Sequence, residues 1–283
     1  MGEYGKNFTF VTSLNRIIKM QNNWLSEVEL ACKQAFAGHH IPSHDFGHHK
    51  RVWKYANEIA QYLKSNSSNP EPSDLGLMVA CYFHDTGLTI NPNEDHGLAS
   101  LQILNSWVEA NPTIMPLIDQ SVYAAVLHHD DKSYKKQGLT KEPLSLDNTL
   151  AILCIADDMD AFSYLGILRY TEIYLMRKIE PETIPSMVST NLESRFRFME
   201  ESIESIPEQY NHQRQRYAIT AQFFKDLTLQ EKTRAEYATF AALIQSVVVE
   251  QKQGWKTLAE ELKHQSWSSL KPVINGIVEE MGF

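Results

Sequence analysis

The chain has 283 residues, 43% hydrophobic and 22% charged, which suits one large globular domain or two modest ones. Its net charge of −9 and pI of about 5.7 exclude a general nucleic-acid coat or an anchor on an anionic membrane, both of which need the opposite sign. The three cysteines, Cys32, Cys81 and Cys154, are odd in number, widely spaced and without a CxxC, so a reducing cytoplasm is expected rather than a disulfide framework.

Along the chain, MGEYGKNFTFVTSLNRIIKM lacks a basic stretch followed by an apolar one, so no signal peptide is expected. No run approaches 18 apolar residues, so no membrane span is expected. Residues 46–64 place Val52, Tyr55, Ala56, Ile59, Ala60 and Leu63 at spacings of three and four, which predicts an amphipathic helix. SNSSNPEPSD (65–74) breaks the pattern, with Ser73 or Asp74 ready to cap the next helix. Residues 75–85 are almost continuously apolar, the mark of a central, fully buried helix. Helices are predicted over 94–109 and 114–129, a polar loop over 135–148, and helices over 148–163 and 164–178. After the EPETIP break, residues 190–283 predict about four more helices. With no alternating strand pattern and no internal repeat, the fold class is all-α. The chemistry is assigned to a helical core at 1–180, and 181–283 to a C-terminal helical extension packed on it, the two forming one compact unit.

Nine of the eleven histidines fall in the first 129 residues. His48 shares a stripe with Val52, Tyr55 and Ile59. His84 ends the apolar helix. His96 shares a face with Ala99, Ser100, Ile103 and Trp107, and His129 follows Ile118, Val122 and Ala125 or Val126. Asp157 follows Leu150, Leu153 and Cys154, though Asp158 and Asp160 compete with it for the inward face. Histidine is uncommon in an apolar core, and an unpaired buried Asp is rarer still. A set of His and Asp on apolar stripes is expensive unless a cation sits among them. A lone His of this kind is more often a hydrogen-bonded core residue, so the argument rests on the combination. His49 is read as one position off the stripe. His39, His40 and His44 are read as loop residues, with His44 closest to the pocket, and His212 and His264 as surface residues.

The order H…HD…H…HH…D resembles the HD-domain metal-dependent phosphohydrolases. SHDFGHHKRVWKYA looks like the first motif of that superfamily and gives His48. LMVACYFHDTG looks like its namesake motif and gives His84 and Asp85. IADDMDAFSYLGILR resembles the closing motif and gives Asp157. His96, with Ser100 four residues on, and His128-His129-Asp130 are similar to the binuclear subgroup that includes HD-GYP phosphodiesterases. Two positions depart from that subgroup: Leu88 stands where it carries Lys, and the GYP segment is absent. A bis-guanine cyclic dinucleotide is therefore not implied as substrate. The resemblance implies an HD-domain helical bundle with additional C-terminal helices. It also implies two divalent first-row metals (Fe, Mn, Ni, Co or Zn), which such ligands suit better than Mg. His48, His84 and Asp157 would hold one ion and His96, His128 and His129 the other, with Asp85 between them.

The expected reaction is cleavage of a phosphoester, nucleotide or cyclic dinucleotide, by a hydroxide shared between the ions. Asp85 and Asp130 are the candidate catalytic carboxylates. Arg51, Lys54, Lys132 and Arg169 are the candidate substrate-binding cations, with Lys50 and Lys135 behind them. The main rival is a mixed-valent di-iron oxygenase, whose motif is similar but needs only one His where this chain has His128-His129. A non-catalytic nucleotide sensor is the second rival, disfavoured because the whole ligand set is kept. The expected partner is a small phosphorylated substrate, with neither nucleic acid nor membrane. The amphipathic stretches 231–252 and 267–281, with Phe240, Leu243, Ile244 and Val247, would serve a homodimer contact or intramolecular packing equally well.

Overall fold

The computed structural model describes residues 24–66, 73–92, 95–131 and 146–282. The described residues contain no strand. Helix α1 covers residues 24–35. It is followed by α2 (Phe46–Asn66), α3 (Asp74–Phe83), α4 (Gly97–Ala110), α5 (Gln120–His128), α6 (Thr149–Met159) and α7 (Ser163–Met176). Then come α8 (Ile184–Ile203), α9 (Pro207–Leu229), α10 (Glu231–Leu243), α11 (Trp255–Lys263) and α12 (Lys271–Met281). A π-helical stretch, Ile244–Glu250, continues α10.

Two helices organise the packing. Every residue of α3 from Gly76 to Phe83 is buried, and α2, α5 and α6 surround it. A helix apolar on all sides can only sit inside a bundle. The Ser73 hydroxyl accepts the Gly76 N–H and starts it where the chain leaves the polar break. The second centre is α7, packed by α8, α9, α12 and the π-helical stretch. Buried apolar residues around both centres form one contiguous cluster running from Val28 to Ile277. Phe240, Ile244 and Val247 belong to it, so that stripe faces this chain's own core. Asn148 caps α6 through the Ala151 N–H, and Asp119 caps α5 through the Ser121 N–H.

Two boundaries differ from those the sequence predicts. Helix α8 begins at Ile184, inside the EPETIP segment, because Pro185 falls in its first turn, where a missing N–H costs nothing. The chain also turns at residues 160–162 rather than at 163/164, and Ser163 has φ 75°. That turn is clamped from α9: Arg216 donates to the Met159 and Phe162 carbonyls, and the Thr220 hydroxyl donates to the Ser163 carbonyl. The predicted loop at 135–148 lies largely outside the described residues. All three cysteines are buried, and none forms a disulfide. Among the described residues, no helix is long and apolar enough to cross a membrane.

Candidate metal centre and substrate cavity

His84 closes α3 and Asp85 follows it, so the buried helix delivers the pair to the middle of the bundle. His48 arrives from the first turn of α2 and Asp157 from the last turn of α6. His96 immediately precedes α4, and His129 closes α5. These six side chains make two groups with ligand atoms close enough to share an ion: His48, His84, Asp85 and Asp157, and Asp85, His96 and His129. Asp85 belongs to both, one oxygen to each. Its Oδ2 lies 3.3 Å from His48 Nε2 and 3.4 Å from His84 Nε2. Its Oδ1 lies 2.8 Å from His96 Nε2 and 3.0 Å from His129 Nε2.

The other ring nitrogens explain why this arrangement wants a cation. His84 Nδ1 donates to the Cys81 carbonyl (2.9 Å) and His129 Nδ1 to the Val126 carbonyl (2.8 Å). His48 Nδ1 donates to Asp160 Oδ2 (2.8 Å). An imidazole that donates through Nδ1 presents a lone pair at Nε2 when neutral. Three such lone pairs point at carboxylate oxygens and at other ring nitrogens, with His48 and His84 Nε2 3.3 Å apart and His129 and His96 Nε2 3.1 Å apart. Lone pairs facing one another in a buried site repel unless something positive lies between them. Nitrogen and carboxylate donors, with the far nitrogens of these rings held by acceptors, fit first-row metal ions.

The electrostatics agree. Burial works to lower the His84 pKa, but Asp85 and Asp157 outweigh it and lift the ring above its ordinary value. Burial works to raise the Asp85 pKa, but His84, His129 and His48 hold the carboxyl well below the usual range. The His129 pKa is lowered, chiefly by burial.

Asp160 organises the first group from behind. Besides His48 it takes Arg51 on both oxygens (Nε 2.7 Å, Nη2 3.0 Å) and Arg169 Nη1 on Oδ2 (2.6 Å). Burial would raise its pKa, but Arg51 and Arg169 keep it well below the usual range. The second group is held by close helix packing. The Ser100 hydroxyl accepts the Gly87 N–H (2.8 Å) and donates to the His84 carbonyl. A Cβ on Gly97 would stand 2.2 Å from the Leu127 carbonyl oxygen, so α4 meets the end of α5 only through glycine. Asp130 Oδ2 accepts the Gly97 N–H at 2.7 Å and lies 4.0 Å from His96 Nδ1.

Both groups open into a cavity of about 110 Å³. Asp85, His96, His129, Asp130, Asp157 and His44 line one end. Arg169, Arg177, Arg195 and Asn191 line the rest, with Tyr170, Ile173 and Tyr174.

Several residues singled out from the sequence stand elsewhere. His128 is exposed and belongs to neither ligand group. It sits one residue, about 100°, round the helix from His129, so the expected third histidine of the second group is not supplied by it. Arg51 points at Asp160 and does not line the cavity. Lys54 is 70% exposed and faces Glu58. Lys50 is exposed. Lys132 and Lys135 lie outside the described residues. Arg169 does line the cavity, and so does His44. His49, expected off the stripe, is fully buried and donates from Nδ1 to the Cys81 carbonyl. The three competing aspartates all turn inward on different tasks: Asp157 to the ligand group, Asp158 to Arg195 (3.2 Å), and Asp160 to His48, Arg51 and Arg169. Sequence reasoning missed Arg177 and Arg195. Their signal was spacing, since Arg169, Ile173 and Arg177 repeat every four residues, as do Asn191 and Arg195.

Compared with known protein families, residues 45–165 match the HD domain. No curated protein and no solved structure matches the chain. The match begins three residues before His48 and ends past Asp157, so it spans all six clustered ligands.

Proposed function

We propose that the protein is a metal-dependent phosphohydrolase or phosphodiesterase acting on a small phosphoester. The observation that carries this reading is Asp85, shared by two His/Asp groups that open into a cavity also lined by three arginines. In this reading His48, His84 and Asp157 would hold one ion and His96 and His129 a second, with Asp85 available to either. When bound, such ions neutralise phosphate oxygens and make water a nucleophile near neutral pH. The chain's own residues do the rest. Arg169 holds a phosphoryl oxygen next to the ligand groups, its guanidinium fixed by Asp160 and by the Ser43 carbonyl. Asp130, the cavity carboxylate outside both ligand groups, carries the proton to the leaving group. Helices α7 and α8 exclude water from the far wall.

A second reading, a di-iron oxygenase, draws support from one observation. With His128 outside both ligand groups, a single histidine serves at the step where the oxygenase pattern needs one. Elemental analysis of the purified protein, followed by assays after loading with Mn or with Fe under reducing conditions, separates the two. Two metals per chain with hydrolysis of bis(p-nitrophenyl) phosphate or p-nitrophenyl phosphate support the first reading. Oxygen uptake confined to the iron form, with no ester hydrolysis, supports the second. No metal retained after reconstitution removes both.

A further inference from the structure

We propose that the substrate carries a second anionic group, phosphate or carboxylate, at the end remote from the reacting phosphoryl group, and that Arg177 and Arg195 bind it. This rests on the phosphoester reading above and adds to it the shape and charge of the molecule recognised.

Charge is segregated along the cavity. Its three carboxylates, Asp85, Asp130 and Asp157, belong to the histidine end, and its three arginines, Arg169, Arg177 and Arg195, come from α7, its C-terminal cap and α8. In a chain of net charge −9, three guanidiniums lining one cavity mark a place built for negative charge. Helix α7 also sets a spacing. Arg169, Ile173 and Arg177 succeed one another at four-residue steps and all line the cavity, so the two arginines are separated by about 12 Å of helix rise. Arg169 is tied through Asp160 to His48 and marks the reacting end. Arg177 marks the other end, with apolar Ile173 between them. Across the cavity, Asn191 and Arg195 occupy successive turns of α8. Arg195 Nε lies 3.2 Å from Asp158 Oδ1, and Asp158 is completely buried, so this guanidinium is fixed before any ligand arrives. An anion held by preoriented guanidiniums gains bidentate, charge-assisted hydrogen bonds. A ligand anionic at one end alone would lay its neutral end along the wall where Arg177 and Arg195 stand.

The test is a length series. The Mn-loaded protein is titrated calorimetrically with n-alkyl phosphates and with ω-carboxyalkyl phosphates of equal chain length. Hydrolysis of both series is followed by phosphate release. The carboxylate is expected to tighten Kd about tenfold at one optimum length, the gain of one good charge-assisted contact. That ratio, carboxylated over plain, is expected to fall towards one in Arg177→Gln. A general loss of binding cancels in the ratio. Arg195→Lys, which keeps the charge facing Asp158, supplies the second variant if Arg177→Gln is unstable, and there the optimum length is expected to shift. If plain alkyl phosphates bind and are hydrolysed but the carboxylate adds nothing at any length, the two-anion substrate is wrong and the phosphohydrolase reading stands. If the gain survives unchanged in both variants, Arg177 and Arg195 do not bind the second anion and the assignment is wrong. If neither series binds, both fall.

Discussion

The two ligand groups that share Asp85 are held in different ways. The first is backed by a buried ionic network, in which Asp160 orients His48 and is itself neutralised by Arg51 and Arg169. The second depends on helix ends, with His96 just before α4, His129 closing α5, and Gly97 and Ser100 letting those ends meet. A group oriented by a saturated charge network is costly to disturb, and the disturbance reaches the fold. A group oriented by close packing is sensitive to a single methyl. The largest effect should come from the residue the groups have in common. Asp85→Ala is expected to empty both sites and to cost hydrolysis on the order of 10³-fold or more, since each ion supplies several kcal/mol of transition-state stabilisation. Elemental analysis and phosphate release on a sample with native circular dichroism check it. Retention of one metal would show that the groups are independent.

Asp160→Ala should separate the groups. It leaves Arg51 and Arg169 without their shared carboxylate in a buried site, a loss of about 3–5 kcal/mol of stability. It also removes the acceptor that fixes the His48 ring, which weakens metal affinity roughly 10- to 100-fold. Denaturant unfolding and metal titration should then show a less stable protein that has lost its first ion more readily than its second.

The scaffold behind the first group also predicts a pH dependence. Glu172, on α7, takes the Ser43 N–H at 2.7 Å and the Trp255 indole N–H at 2.6 Å. It thereby ties the segment before His48 to α11. Burial pushes its pKa up to about 7, against 4.5 for an ordinary glutamate. A folded pKa above the unfolded one means that the folded state holds the proton longer. Stability from this group is therefore fully present below pH 4.5 and lost as pH rises through about 7, by about 3 kcal/mol. Glu172→Gln cannot titrate, so the stability difference between it and the parent should change in the variant's favour by that amount between pH 4.5 and 7.5. Parallel changes in stability for the two proteins across that range would contradict the assignment. Gly97→Ala tests the packing side of the comparison. Its methyl meets the Leu127 carbonyl and Asp130, a strain of about 1–3 kcal/mol, and one tight metal site should survive while the second weakens.

Much of the fold and the site is legible in the sequence because the apolar pattern and the burial have one cause. Helices α2, α3 and α6 are readable from apolar spacing, and His48, His84 and Asp157 from their place on those stripes. The features that escape such reading depend on distance rather than period. Arg51 reads as a substrate-binding cation until Asp160, 109 residues away, is seen to take both ends of its guanidinium. Arg177 and Arg195 carry no site reading until α7 and α8 bring them to the cavity. The start of α8 is hidden because a proline reads as a break, although a first-turn proline begins a helix.

His128 and His129 show where periodicity and motif resemblance part. His129 stands seven residues after Val122, four after Ala125 and three after Val126, all buried. His128 stands seven after Ser121 and four after Ala124, both exposed. The stripe therefore selects His129 alone, whereas the resemblance to a paired-histidine subgroup nominates both. On the stripe argument, His128→Ala should change stability by less than about 0.5 kcal/mol and leave metal content and turnover as they were. His129→Ala should strip the second group, because it removes the ring that faces both Asp85 and His96. If His128→Ala instead releases a metal, then α5 must rotate when ions bind, and the paired-histidine hydrolase would be favoured over the single-histidine oxygenase pattern.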